Sequence, residues 1–328
     1  MRDLEYAAVT RRVVERLGEL TADDEALVVA DPGAVELGRA LTRAARAADA
    51  SATLSVVPRL AGHGAEPPAG VAAAMRAVDV VFVVTEHSLV HTEARREAAA
   101  AGTRVAVLRG VTPEMLVEGA MTADFEAVRR TTGLVCDALT AASEARVSCP
   151  EGTKAAMSLE GRSALPLDGF FHDYGFSNLP PGLAVCSPVE GTAEGTIVLD
   201  HAMDGIGAFD EPVELVLDGG RAVEFRGGSA AATLRDRLDA ADANARNLAE
   251  FAPGTNPAAR LTPNLAECKK RLGVLDVALG DNTSIGGTTA SELHIDSIIT
   301  RPAIELDGRE VLRDGEYDEA ALQAVADG

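Results

Sequence analysis

The chain has 328 residues, of which 51 are Asp or Glu and 30 are Lys or Arg, and its formal net charge is −21. This charge is poorly matched to nucleic-acid phosphates and to an anionic membrane surface, so we exclude both as partners. A hydrophobic content of 47% argues against intrinsic disorder, and the length fits one large domain or two ordinary ones.

The first half of the chain alternates between strand and helix patterns. Short apolar runs predict buried strands at 26–30, 51–58, 78–85 and 104–108. Helical patterns cover 4–20, 34–48, 90–101 and 112–145, the last as two helices. Strands that alternate with helices predict a parallel sheet covered by helices. We therefore expect an α/β domain over residues 1–147.

The second half is richer in glycine and has closely spaced strands. Turns at 218–220 and at 307–308 join short apolar runs and predict two hairpins. A single long helix is predicted over 229–250. Residues 148–328 are therefore predicted to form a β-rich α+β domain.

Charge and cysteine usage indicate the solvent and compartment in which the protein works, and they do not indicate which reaction it catalyses. Residues 1–150 hold 21 acids and 16 bases, whereas 151–328 hold 30 acids and 14 bases. Acidic, lysine-poor surfaces suit molar salt, where the Debye length is about 3 Å, so we expect a salt-loving organism. The sequence shows no signal segment, no apolar run of membrane-spanning length and no CxxC among its four cysteines. We therefore expect a cytoplasmic protein with free thiols.

The candidate site begins with an HxD pattern in a predicted strand, residues 292–299. Alternate residues of a strand face the same way, so His294 and Asp296 share one face. Imidazole and carboxylate together suit Zn²⁺, Co²⁺, Mn²⁺ or Fe²⁺. An isolated HxD is more often a hydrogen-bonded pair, but two loops that could carry further ligands accompany it. Glu250 precedes the first loop, 251–257, and a glycine-rich stretch, 279–288, precedes the HxD strand.

Residues 250–296 resemble the aminopeptidase T family of cocatalytic metallopeptidases. The resemblance rests on the GTNP, ALGDNTSxGG and HxD blocks together, and it extends to residues 85–98, 160–162, 178–182 and 188–196. It covers most of the chain. It implies a homodimer and a site of two divalent metals held by carboxylates and histidines.

The resemblance carries over residue by residue with two departures. Glu250, His294 and Asp296 match metal ligands of the family. Leu183 stands where the family has Glu, and Asp276 stands where it has His. Leu183 cannot bind a metal, so Glu250, Asp276, His294 and Asp296 are the predicted ligands, and a one-metal site becomes plausible. Glu190 is a substitute ligand that the spacing does not demand.

The function implied by this resemblance is a metallo-aminopeptidase. A metal would lower the pKa of a bound water and polarise the scissile carbonyl of a peptide substrate. Glu250 would take the proton of that water as catalytic base. The acidic second half would attract the free α-amine of the peptide.

Two alternatives stay open. Ring-cleaving dioxygenases of dihydroxypyridine catabolism look like the same fold with one iron, and the loss of two ligands favours such a site for a small-molecule substrate. His172 could supply a second histidine. The other alternative is a non-catalytic relative that binds a ligand. In the first half, the cluster Ser88, His91, Thr92 and Arg95 is predicted to form an interface or to cap the substrate.

Overall fold

A computed structural model describes residues 2–62, 64–90, 92–172 and 176–328. The chain divides into two compact units, residues 1–125 with 167–181 and residues 126–166 with 182–328. The predicted domain boundary at 147–148 falls within a strand of the second unit, and it stays a prediction. None of the helices in the described part of the chain is long and apolar enough to cross a bilayer.

The described residues form nine α-helices and twenty β-strands. The α-helices are α1 Arg2–Arg12, α2 Val35–Ala47, α3 Ala69–Met75, α4 Glu93–Ala100, α5 Met115–Glu118, α6 Phe125–Ala141, α7 Ser229–Ala240, α8 Leu265–Cys268 and α9 Glu319–Ala326. The first ten strands are β1 Glu25–Ala30, β2 Ser51–Val56, β3 Val80–Val84, β4 Arg104–Val107, β5 Glu144–Ser148, β6 Lys154–Ser158, β7 Leu165–Leu167, β8 Phe176–Asn178, β9 Leu183–Val185 and β10 Glu194–Leu199. The others are β11 Ala202–Met203, β12 Gly207–Ala208, β13 Val213–Asp218, β14 Arg221–Arg226, β15 Leu248–Pro253, β16 Leu275–Gly280, β17 His294–Ile299, β18 Ala303–Leu306, β19 Arg309–Arg313 and β20 Glu316–Tyr317.

The first unit is built on a parallel sheet with the strand order β2-β1-β3-β4-β8. All five residues of β3 are buried, as expected for a strand inside a sheet covered on both faces. Helix α2 packs the apolar side chains Leu37 and Leu41 into the buried interior. The predicted fold class, a parallel α/β part followed by a β-rich part, is confirmed.

The second unit is built from antiparallel sheets. The larger has the strand order β14-β13-β10-β6-β5-β18-β19-β20, and the smaller has the order β12-β11-β17-β16-β15. Their buried hydrophobic side chains form one cluster that includes Phe251, Val277 and Ile299. One side of β15, β16 and β17 therefore packs in this core, which fixes their register, because a one-residue slip would turn the apolar side chains to the opposite face and the buried carboxylates into the core.

The predicted helix over 229–250 is wrong in its last ten residues. Helix α7 ends at Ala240, and residues 248–253 form β15. The Asp242 carboxylate accepts a hydrogen bond from the Asn244 N–H at 2.7 Å, a local bond that competes with helical bonding. The side chain of Asn247 donates to the Gly280 carbonyl at 3.1 Å, which ties the chain to β16. Glu250 therefore lies within a strand rather than at a helix end.

Candidate metal centre

Three adjacent strands bring the predicted ligands to one face of the smaller sheet. Glu250 on β15 and Asp296 on β17 are both paired with Ala278 of the central strand β16, and His294 is paired with Gly280. Directly opposed residues and alternate residues of a strand share a face. Ala278 and Gly280 carry little or no side chain, so the larger side chains on either side can approach one another above them.

The ligand atoms of Glu250, His294 and Asp296 all lie within 4.8 Å of one another. The His294 Nε2 atom is 3.3 Å from Glu250 Oε2 and 3.2 Å from Asp296 Oδ1. Both carboxylates are buried, whereas the imidazole is 34% exposed. The cluster is therefore open to solvent on the histidine side, from which a small molecule can approach.

A hydrogen bond outside the cluster fixes the orientation of the imidazole. His294 Nδ1 lies 2.7 Å from the carbonyl oxygen of Asp281, so Nδ1 carries the proton that it donates to that oxygen. Nε2 is then the nitrogen whose lone pair can bind a metal. Metal-binding histidines are commonly oriented by such a bond from the other ring nitrogen.

The cluster fits a divalent metal by spacing and by donor chemistry. Metal–ligand bonds of about 2.0–2.2 Å at right angles place neighbouring ligand atoms about 3 Å apart, close to the separations around Nε2. Asp296 Oδ1 is buried and has no hydrogen-bond partner among the described residues. One imidazole and two carboxylates form an oxygen-rich set that suits Fe²⁺ or Mn²⁺.

The electrostatic environment of the cluster favours a bound cation. Burial alone would lower the pKa of His294, but its contacts with the Asp296 and Glu250 carboxylates raise that pKa well above its ordinary value. Burial would likewise raise the pKa of Asp296, but Lys269 and His294 hold it well below its ordinary range. The same negative charges that stabilise a proton on His294 would stabilise a metal ion there.

Asp276 lies on the same face but is engaged with a lysine. It is fully buried on β16, and its Oδ2 atom is 3.0 Å from Lys269 Nζ. Lys269 Nζ also contacts Asp296 Oδ2 at 2.6 Å. Burial and the nearby Asp296 carboxylate raise the pKa of Asp276 well above its ordinary value. Asp276 is not part of the three-residue cluster, so its predicted role as a ligand stays a prediction.

Two lysines at this site were missed by sequence reasoning. Lys269 and Lys270 follow directly after α8, and Lys270 is 2% exposed with no hydrogen-bond partner for Nζ in the described part of the chain. Burial and the charge of Lys269 lower the pKa of Lys270 to about 7. The sequence feature that could have pointed to them is their rarity, because the chain has three lysines and two of them are adjacent.

The two other positions discussed for ligands do not take part. Leu183 on β9 is fully buried and apolar. The Glu190 carboxylate accepts hydrogen bonds from the Thr288 N–H at 2.7 Å and from Asn282 Nδ2 at 2.9 Å, and it is ion-paired with Arg162. Glu190 therefore anchors the glycine-rich loop instead of replacing the missing ligand.

Side chains singled out in the first unit have structural partners. His172 Nε2 lies 2.9 Å from Asp168 Oδ1. Thr92 caps α4 by accepting a hydrogen bond from the Arg95 N–H at 3.2 Å, and the Arg95 guanidinium lies over the Phe176 ring. His91 lies outside the described residues. The predicted interface or capping role of this cluster stays a prediction.

Comparison with known proteins gives the family. A family model described as NicX, 2,5-dihydroxypyridine 5,6-dioxygenase, matches residues 11–319. The solved 2,5-dihydroxypyridine dioxygenase from Pseudomonas putida KT2440 is similar with a TM-score of 0.83 and 19% identity, over 97% of this chain and 99% of that chain. Wild-type AmpT from Thermus thermophilus is similar with a TM-score of 0.67 and 18% identity, over 97% and 100%. No curated protein matches the sequence significantly.

These findings correct the predicted identity. Membership of the aminopeptidase T family is wrong, because the family model of the dioxygenases covers nearly the whole chain. The prediction of a peptide-cleaving metallo-aminopeptidase, a hydrolase, is wrong for the same reason, and the ring-cleaving alternative is the one supported. Nothing in the comparisons supports the predicted salt adaptation or homodimer. The chain belongs to the 2,5-dihydroxypyridine 5,6-dioxygenase family.

Proposed function

We propose that this protein is an iron-dependent dioxygenase that opens the ring of a dihydroxypyridine-type substrate. The observation that carries the proposal is the cluster of Glu250, His294 and Asp296, whose ligand atoms lie within 4.8 Å of one another in a chain of this family. Bound Fe²⁺ would supply the redox chemistry that joins both atoms of O₂ to the aromatic ring. Such an enzyme binds a small-molecule substrate, and we keep its predicted cytoplasmic location as part of the proposal.

In this proposal the protein's own side chains hold the metal and receive a proton. His294 would bind through Nε2, because the Asp281 carbonyl holds the Nδ1 proton. Asp296 would bind through Oδ1, the buried oxygen that lacks a hydrogen-bond partner among the described residues. Asp276 would act behind Asp296 rather than as a direct ligand, since Lys269 stands between the two carboxylates.

Glu250 has two roles in the proposal. It completes the set of ligands, and it serves as the catalytic base that receives the proton of a substrate hydroxyl. Its carboxylate is 4% exposed and its Oε2 atom lies 3.3 Å from His294 Nε2, so in this proposal one carboxylate oxygen binds the metal and the other receives the proton of the substrate hydroxyl. A deprotonated ring is more electron-rich, which favours its reaction with oxygen.

The decisive experiment measures metal, oxygen and product together. The protein is loaded with Fe²⁺ without air and then mixed with 2,5-dihydroxypyridine and ¹⁸O₂. We expect about one iron per chain, consumption of O₂, loss of the ring absorbance and a product that carries two ¹⁸O atoms. Iron binding without oxygen consumption would instead support a non-catalytic relative.

A matched pair of histidine variants assigns the effect to the cluster. His294→Ala is expected to lose the iron and to lower the rate more than about 100-fold, since even the partners of metal ligands typically contribute 10–100-fold. His201→Ala is the control, because His201 Nε2 contacts the Thr262 carbonyl at 2.9 Å and is not in the cluster. Equal iron content in both variants would refute the proposed centre.

A further inference from the structure

Asp296 faces two different side chains, one through each of its carboxylate oxygens. Its Oδ1 atom lies 3.2 Å from His294 Nε2, in the candidate metal cluster. Its Oδ2 atom lies 2.6 Å from Lys269 Nζ, which also contacts Asp276 Oδ2 at 3.0 Å. A carboxylate directed in this way has the arrangement of a bridge between two cation positions. In this chain an ammonium group stands at the second position.

We propose that Lys269 is a built-in cation that limits this centre to one metal ion and fixes the orientation of Asp296. The inference rests on the proposed metal centre and deepens it. Lys269 is thus a positioning residue, since it acts through Asp296 and not on the substrate.

The spacing between the charged atoms supports a cation position at the ammonium. A divalent ion bound by Asp276 and Asp296 would lie about 2.1 Å from their oxygens, within the space that the Lys269 ammonium fills. Paired metal ions in enzymes lie about 3.5–4 Å apart, the range that one carboxylate can bridge. An ion cannot enter this position while the lysine holds both carboxylates.

The surroundings of Asp276 show that its charge balance depends on Lys269. Asp276 is fully buried, and neither of its carboxylate oxygens makes a hydrogen bond within the described residues. The contact with Lys269 Nζ is the ion pair that the structure records for it. Without the ammonium, Asp276 and Asp296 would form two adjacent buried carboxylates, an arrangement that attracts a divalent ion.

The choice of residue supports the same role. Of the 30 basic residues, three are lysines, so 30 − 3 = 27 are arginines. A chain that uses arginine almost everywhere keeps lysine at this position, which is 13% exposed. An ammonium is a compact point charge with three donors, whereas a guanidinium is a planar fork that needs more room. The position between Asp276 and Asp296 therefore suits an ion-sized group.

The test counts metal ions with Mn²⁺ as the probe. Wild-type protein and the Lys269→Ala variant are dialysed against excess Mn²⁺, and the metal content per chain is measured by elemental analysis. We expect one Mn²⁺ in the wild type and two in Lys269→Ala. Electron paramagnetic resonance should show magnetic coupling between two ions in the variant and an uncoupled ion in the wild type.

Two further variants assign the added ion to the proposed position. Lys270→Met removes the neighbouring buried lysine and should keep one Mn²⁺. The double variant Lys269→Ala with Asp276→Asn keeps the local net charge of the wild type but removes a carboxylate ligand, and it should return to one Mn²⁺. A purely structural role for Lys269 would not change the metal count in this pattern.

Each outcome decides the matter. One ion in both the wild type and Lys269→Ala, or two ions in the wild type, overturns the inference on Lys269 but leaves the proposed centre intact. No ion in the wild type refutes the proposed centre itself and the inference with it. If Lys269→Ala fails to fold without metal, refolding in Mn²⁺ decides, because a folded variant with two ions supports the inference and an unfolded chain overturns it.

Discussion

Buried carboxylates have different partners in the two units of the molecule. In the first unit, Asp31 is 4% exposed, and it accepts hydrogen bonds from the backbone N–H groups of Gly33 and Ala34 at 3.1 Å and of Glu86 at 2.7 Å. In the second unit, the buried Asp276 and Asp296 face other charged side chains and keep oxygens without hydrogen bonds. A carboxylate satisfied by backbone stabilises a turn, whereas one left partly unsatisfied among charges indicates a ligand site.

The largest loss of stability should come from removing the Lys269 ammonium, which pairs with the Asp276 and Asp296 carboxylates. Lys269→Met leaves Asp276 and Asp296 without their ammonium partner and should lower the free energy of unfolding by about 3–5 kcal/mol, as in other broken buried pairs. Urea unfolding in metal-free buffer measures this. Lys154→Met is the control, because Lys154 is exposed, and should change stability by less than about 0.5 kcal/mol. A loss below about 1 kcal/mol for Lys269→Met would mean that the two carboxylates do not depend on it.

Glu190 is a carboxylate of the second unit that, like Asp31, has hydrogen-bond or ion-pair partners for both oxygens. Burial acts to raise its pKa, but the hydrogen bonds from Thr288 and Asn282 and the charge of Arg162 lower it from 4.5 to about 2. Because the pKa is lower in the folded state, its stabilisation is complete above about pH 4.5 and is lost as the pH falls towards 2.

Glu190→Gln should therefore cost about 2–3 kcal/mol at pH 7 and much less near pH 2.5. Urea unfolding of wild type and variant across this pH range measures the difference. Metal content should stay at the wild-type value, because Glu190 anchors the loop and is not in the cluster. A pH-independent difference would show that lost packing, and not the charge, carries the effect.

The smallest of these effects is expected at Asp31. Asp31→Ala removes two hydrogen bonds to the turn before α2 and one to the Glu86 N–H after β3, and it should cost about 1–3 kcal/mol, while the metal content stays unchanged. Asp31→Asn keeps an acceptor oxygen and should lose less. Thermal unfolding measures the loss of stability in both variants, and elemental analysis measures their metal content. A variant that loses metal would contradict the assignment of this carboxylate to the backbone.

The parts of the fold that periodicity specifies were predicted well. The run Val80–Val84 is uniformly apolar, and the structure makes it a buried central strand. The alternation around His294 and Asp296 correctly indicated a strand. The segment before Glu250 was predicted as helix because its composition is rich in alanine and charge. Long-range bonds such as that between Asn247 and Gly280 decide against the helix, and no local pattern reveals them.

The candidate site was predictable in its residues but not in its arrangement. Glu250, His294 and Asp296 were identified, and the structure brings their ligand atoms together. Asp276 was predicted as a fourth ligand because it carries a carboxylate at the position where the aminopeptidase T family has a histidine ligand. Its neighbour Lys269 lies seven positions earlier, and only the meeting of the turn after α8 with β16 and β17 brings the two side chains into contact. Charge pairing of this kind depends on tertiary structure.

The shielding of Lys269, whose side chain is 13% exposed, and the burial of Lys270 also have a consequence for handling the protein. With these two amines shielded, Lys154 is the lysine whose side chain is exposed. Lysine-directed reagents should therefore modify Lys154, at the start of β6, before the two shielded lysines. A fluorophore or an affinity support attached there would leave Lys269 and Lys270 beside the candidate metal centre unmodified.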